Sequence, residues 1–223
     1  MSTINIILVV AAVVLIGIPI GVSVLVTVPM ARAKVTRIPD ERTHQTLIKA
    51  SRAVDEAQVA ALGFTLEGVY DIDLGGPRAL FVMWRHGRDA TCLAAYTHSS
   101  MKNGTWITDI VSILSEHPRV ALTTSVTKDG HVAPPRRGDH MQTFDNPSLG
   151  ALWERHTEAE VYLAEKTGVV PGKVDMPGGQ MLETYVRDSS RYRLQRPWVW
   201  LSVPYRYWIG RHLWHNRPVA KAN

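Results

Sequence analysis

From Met1 to Ala31 the chain carries no charged side chain, and Ile6 to Met30 is almost wholly Ile, Val, Leu, Ala and Gly. At about 1.5 Å rise per residue, Ile6 to Met30 makes roughly 37 Å of helix, more than the approximately 30 Å hydrocarbon core of a bilayer. One tilted transmembrane helix is therefore expected. A cleavable signal peptide is the rival, since Ala31-Arg32-Ala33 has the small-x-small form of a cleavage site. Such peptides carry a basic leader and an apolar stretch of only about 7 to 15 residues. Neither condition is met, so residues 1–31 are expected to persist as an anchor.

No basic side chain precedes this run, whereas Arg32, Lys34 and Arg37 follow it directly. The positive-inside rule then keeps the downstream chain in the cytoplasm. The expected location is the cell membrane, crossed once, with the bulk of the chain cytoplasmic. Cys92, the one cysteine, agrees with a reducing compartment. Within the run, Gly17 and Gly21 match the small-xxx-small spacing through which two membrane helices approach closely. They are candidates for contact with a membrane protein or a second copy in a weak homodimer. Pro19 lies between them and lacks an N–H, so the helix should loosen there.

Hydrophobic residues make up 45% of the whole chain, and those beyond the apolar run supply material for one sizeable core. A basic linker at 32–40 leads to a soluble domain at 41–196. Asp40 is placed to cap a helix from Glu41 to about Leu62, with Gly63 just past its end. A region of β character follows, cut by turn residues at short intervals. Its pieces are Phe64 to Leu74, Arg78 to Arg85, Ala90 to His98, Thr105 to Leu114 and Arg119 to Thr127, with a short sixth at His131 to Ala133. Connections this short imply hairpins, hence an antiparallel meander of five or six strands with one buried face and one wetter face. Helical signals return after Asn146-Pro147, where Leu149, Leu152, Trp153, His156 and Leu163 recur at three- and four-residue steps before Gly168. Another helix is expected from about Gln180 to Leu194. The fold class is α+β: an N-terminal membrane helix, then one domain with its meander sheet packed by helices on the buried face.

The charge is unevenly placed. Residues 187–223 hold eight Lys or Arg and one acid, a net of +7, while the remainder holds 17 basic and 19 acidic groups, a net of −2. The same stretch carries Trp198, Trp200, Trp208 and Trp214. Trp prefers the headgroup level of a bilayer, and each basic residue near an anionic leaflet is worth about 1 kcal/mol. The tail at 197–223 is therefore a candidate interfacial element, with Trp198, Trp200, Arg206, Trp208, Arg211 and Trp214 contacting the lipid bilayer. Core packing and nucleic acid compete as uses of these residues. No nucleic-acid recognition motif supports the second, and no nucleic-acid partner is expected.

Signatures of catalysis are few. Arg85-His86-Gly87 resembles the Arg-His-Gly motif of the histidine phosphatase superfamily, which implies a phosphorylated His86 and a phosphate-holding Arg85; separately, Asp139 with His140 in the polar loop after the sheet could make a proton-transfer pair. The family's motif opens a phosphate loop after a strand of an α/β sheet, whereas here it ends one strand of a hairpin. Neither a zinc framework nor a nucleotide- or hydrolase-type glycine motif is present, so no metal, cofactor or catalytic residue is expected. Leu62-Gly63-Phe64, Gly68-Val69-Tyr70 and Thr123 to Gly130 together resemble uncharacterised bacterial single-span membrane proteins with an α+β soluble domain, a likeness that implies architecture and no activity. The leading expectation is a membrane-anchored, non-catalytic binding or assembly module facing the cytosol. The alternative is a phosphatase-like hydrolase built on Arg85 and His86.

Overall fold

The computed structural model describes residues 3–50, 54–73, 78–87, 91–98, 105–128, 134–169 and 176–221. The apolar run is one continuous helix, Thr3–Met30, long and apolar enough to cross a membrane. Pro19 cannot return an N–H to the Leu15 carbonyl, and the turn before it, Val13–Gly17, widens to π spacing. The loosening expected at Pro19 thus takes a definite form.

The sheet contains seven strands in chain order: β1 Lys34–Arg37, β2 Phe64–Asp73, β3 Arg78–His86, β4 Cys92–His98, β5 Ile107–Glu116, β6 Arg119–Ser125 and β7 Asp139–Thr143. The neighbours from β1 to β6 pair antiparallel, as hairpin-length connections require. β7 lies parallel to β6, which makes the sheet mixed rather than a pure meander of five or six strands. The chain between Ser125 and Asp139 is long enough for the crossover that a parallel pair needs. The expected sixth piece at His131 to Ala133 lies outside the described residues. β1 occupies part of the segment expected as linker.

Two helices, Asp40–Ala50 and Glu56–Ala61, stand where one helix to Leu62 was expected. Asp55 starts the second, its carboxylate accepting from the Ala57 N–H at 2.9 Å, a competing cap inside the longer pattern. Gly63 follows with φ +87°, the left-handed position expected for it. Leu149–Thr167 forms the long helix. Ser148 caps it by accepting from the Ala151 N–H at 3.2 Å, and Gly168 ends it in the left-handed region. A further helical stretch covers 178–194, followed by the tight helix Pro197–Ser202 and a helical segment at 203–214.

Both faces of the sheet are covered. Met181, Leu182 and Val186 pack on Ile72, Met83 and Ala94 on one side. On the other, Val59 and Leu152 pack on Val69, Val82, Leu93 and Ile110, with Ala159 and Leu163 continuing over Leu114 and Leu122. Burial of each large aliphatic chain stabilises by about 1.5–3 kcal/mol. Among the described residues the central strands have no wetter face, and the weak alternation of β4, where Leu93, Ala94 and Ala95 are all buried, is the sign of burial on both sides.

Candidate functional site

The C-terminal segment lies against the apolar helix. Its buried residues, Pro19, Ser23 and Thr27, fall four apart on one face. The half Ile18–Met30 packs there against Ser189–Leu194 and Val203–Tyr205. Two hydrogen bonds fix the ends of this contact. Arg191 donates from Nε to the Ala31 carbonyl at 3.2 Å, a cation on the exposed carbonyls of a helix C-terminus. Trp208 donates from Nε1 to the Leu15 carbonyl at 3.0 Å. That carbonyl is the one whose usual donor Pro19 removes, so the indole satisfies a group that lipid could not. Leu15 and Met30 are about 22 Å apart along a helix. The C-terminal segment therefore runs beside the apolar helix for about 22 Å.

Outward from this contact, Trp198, Leu201, Tyr205, Trp208, Ile209 and Leu213 are all exposed. Arg206 sits 4.9 Å above the Trp214 ring and Arg211 4.7 Å above that of Tyr207, so aromatic faces shield both guanidinium groups. Trp200 differs from the other candidates: it is buried and faces the protein. The tail then returns to the sheet. His215 bonds Thr143 through Nδ1 at 2.7 Å and Asp145 through Nε2 at 2.6 Å, and the Asn216 N–H reaches the Thr143 carbonyl at 2.7 Å. Hydrogen bonds from His215 and Asn216 hold the Asp145 carboxyl below the usual carboxylate range. Among the described residues, a Cβ added at Gly21 would meet nothing within 4 Å, and one added at Gly17 would meet only the Val13 side chain at 3.8 Å.

The motif at Arg85-His86-Gly87 is split by strand alternation. Arg85 donates from Nη1 to the Met176 carbonyl at 3.0 Å on one face of the sheet. His86 lies on the other, 5.1 Å from the Phe64 ring and 5.0 Å from that of Trp153. His140 is on β7, paired with Leu122, and burial lowers its pKa. These three side chains are not brought to one site. Burial first, then the nearby Glu67 carboxylate, pushes the Cys92 thiol up to about 12, so it is held protonated. Glu67 itself is the extra residue of a bulge in β2, which aims its carboxylate at the Gly178 N–H beginning the helical stretch on that face.

Two buried polar groups escape a reading of the sequence. Ser112 Oγ approaches His156 Nε2 at 2.7 Å, Thr124 Oγ1 approaches Nδ1 at 2.8 Å, and Glu160 Oε1 lies 3.3 Å from Nε2. Ser112 and Glu160 meet the same ring nitrogen, so the trio is not laid out as a nucleophile–base–acid relay, where they would take opposite nitrogens. Asp109 is the second group. It lies in a slot of about 20 Å³ between β3, β4, β5 and the helical stretch at 178–194, among Phe81, Met83 and Leu182 with Tyr96 and Tyr185 beside it. Oδ1 of Asp109 has no hydrogen-bond partner. Burial raises its pKa to about 6 against hydrogen bonds from Ser125 and Tyr96. A lone acid inside the apolar run Ile107 to Val111 was the one signal available in the sequence.

Asp109 gives the fold a pH dependence. Below about pH 4 both folded and unfolded chains hold the proton. As pH rises to 6 the unfolded chain releases it while the folded chain retains it, so stability falls through this window and levels off above it. Two pK units correspond to a loss of about 3 kcal/mol. Asp109→Asn should remove that decline. Thermal unfolding from pH 4 to 7 measures it: the gap between variant and native chain should widen with pH, and parallel profiles would refute the assignment.

Among the described residues no group of three or more His, Cys, Asp or Glu is arranged to hold a metal ion. Compared with known protein families, curated proteins and solved structures, the chain matches none.

Proposed function

We propose that the chain is a single-pass membrane protein whose sheet domain faces the cytosol and serves as a non-catalytic binding or assembly module. The observation that carries this reading is the tail laid along the exposed apolar helix, with the Trp208 indole closing the Leu15 carbonyl. A helix with an uncovered Leu, Ile and Val surface needs an apolar solvent, and the tail adds Leu201, Trp208, Ile209 and Leu213 to the same surface. Anchor and tail together form a membrane unit of two elements, one spanning and one alongside it. The lipid bilayer is its partner. Close approach of a second membrane helix along Gly17 and Gly21 belongs to the same reading, as does kinship with the bacterial single-span proteins named above.

The test uses the full chain in vesicles whose acyl chains carry bromine, a contact quencher of indole fluorescence. Native emission should be quenched, and Trp208→Phe should remove a disproportionate share of the quenching. Retention of the full quenching in this variant would place Trp208 away from lipid and end the role assigned to the tail. Protease added outside intact cells should leave the C-terminus whole, and cleavage there would overturn the orientation.

A further inference from the structure

We infer that the cleft between β1, β3 and the helix Asp40–Ala50 is a binding site for a phosphate-bearing anion. The cleft has a volume of about 640 Å³, within the range of small-molecule sites. Three cations from three separate elements line it: Arg37 on β1, Lys49 in the last turn of the helix and Arg78 at the start of β3. Thr36 and Gln45 add a hydroxyl and an amide, and Asp71 is the one described carboxylate in the wall. The two guanidinium groups are positioned. Arg37 donates from Nη2 to the Glu67 carbonyl at 3.3 Å, and Arg78 pairs with Asp71. Planar forks beside a lysine point charge are the donor set that suits a phosphate group.

Strand register says where the cleft opens. Lys34 pairs with Asp73 and Asp73 with Arg78, so Arg78 is level with the first residue of β1. Lys34 lies four residues beyond Met30, the last residue of the apolar helix. Four extended residues would span about 13 Å, and residues 31–33 turn rather than extend, so Lys34 lies within that distance of the helix end. Arg78 is two strand spacings, about 10 Å, to its side, which keeps the mouth of the cleft near the headgroup layer. The shared chemistry is a phosphate ester, from an anionic lipid headgroup or a soluble phosphate compound. Only the lipid source rests on the membrane reading above.

Asp71 makes the proposal testable in both directions, because it holds Arg78 and opposes an incoming anion. The full chain in phosphatidylcholine nanodiscs is titrated with inorganic phosphate and with glycerol phosphate, then compared in nanodiscs containing phosphatidylglycerol. Lys49→Gln combined with Arg78→Gln should weaken binding of the soluble probes about tenfold, and Asp71→Asn should strengthen it severalfold. Lys166→Gln, near the opposite edge of the sheet, should change nothing. Gain in one variant and loss in the other cannot come from misfolding alone. Competition by phosphatidylglycerol identifies the headgroup source, and variant-sensitive binding without competition identifies a soluble phosphate compound. Probe binding that is absent, or indifferent to both cleft variants, overturns the site. Loss of bilayer retention with phosphate binding intact would instead fault the membrane reading.

Discussion

Replacing His156 with Ala should destabilise the fold by about 3–4 kcal/mol, a fall of roughly 10 °C in the thermal midpoint for a chain of this length. The ring is fully buried in the apolar stripe of the helix Leu149–Thr167, between Leu152 and Ala159. Truncation leaves a cavity and also strands the groups that the ring serves. Ser112 keeps Thr91 at 2.9 Å, and Thr124 keeps the Gln142 amide at 2.9 Å, so each hydroxyl retains one partner. Glu160 loses most. Burial would raise its pKa, but hydrogen bonding and charge from His156, with the hydroxyls of Ser112 and Thr91, together hold it below the usual carboxylate range.

The pH dependence of that loss identifies its cause. A depressed carboxyl contributes stability above its unfolded value, near 4.5, and loses it as pH falls through the folded value. Without His156 this contribution vanishes, and a proton on Glu160 then relieves the stranded charge. The difference between native and His156→Ala midpoints should be widest at neutral pH and narrow in acid. A difference constant over that range would make the cavity the whole effect. His156→Gln, which keeps hydrogen-bonding capacity, should cost about half as much.

The long apolar helix was legible in the sequence because an uncharged run longer than a bilayer's core needs no tertiary partner to be recognised. β2 to β6 were legible through the turn residues between them. β1 was not, since Lys34-Val35-Thr36-Arg37 has the charges of an edge strand, and those are the charges of a linker as well. β7 was missed for a different reason. Asp139-His140-Met141-Gln142-Thr143 has no apolar alternation, and its buried positions are Gln142 and Thr143, satisfied by Thr124, the Arg155 carbonyl and His215. The aromatic and basic tail stood out by composition. Its seat on Leu15 depends on a contact between residues 193 apart, and the cleft at Arg37, Lys49 and Arg78 on register among three elements. Local patterns carry neither.

Gly138→Ala is expected to have the largest effect in the protein, about 4 kcal/mol or more, a large part of the 5–15 kcal/mol that holds a typical domain folded. Gly138 has φ +86°, where side chains are strained, and a Cβ built on it would lie 2.0 Å from the Arg119 carbonyl oxygen. The obstacle is backbone, so no rotamer relieves it. The neighbouring strand cannot retreat without breaking the bond from the Ala121 N–H to the Gly138 carbonyl at 2.9 Å and the Arg119–Asp139 ion pair at 2.6 Å. Those contacts begin the parallel register of β7 on β6. Since β7 also holds the returning tail through Thr143 and His215, the variant should melt early and release the tail to protease in the same transition. Gly150→Ala is the control: a Cβ there meets nothing within 4 Å, and Ala should favour its helix by about 0.5–1 kcal/mol. If Gly138→Ala and Gly150→Ala melt together, the backbone contact at Arg119 does not set the β6–β7 register.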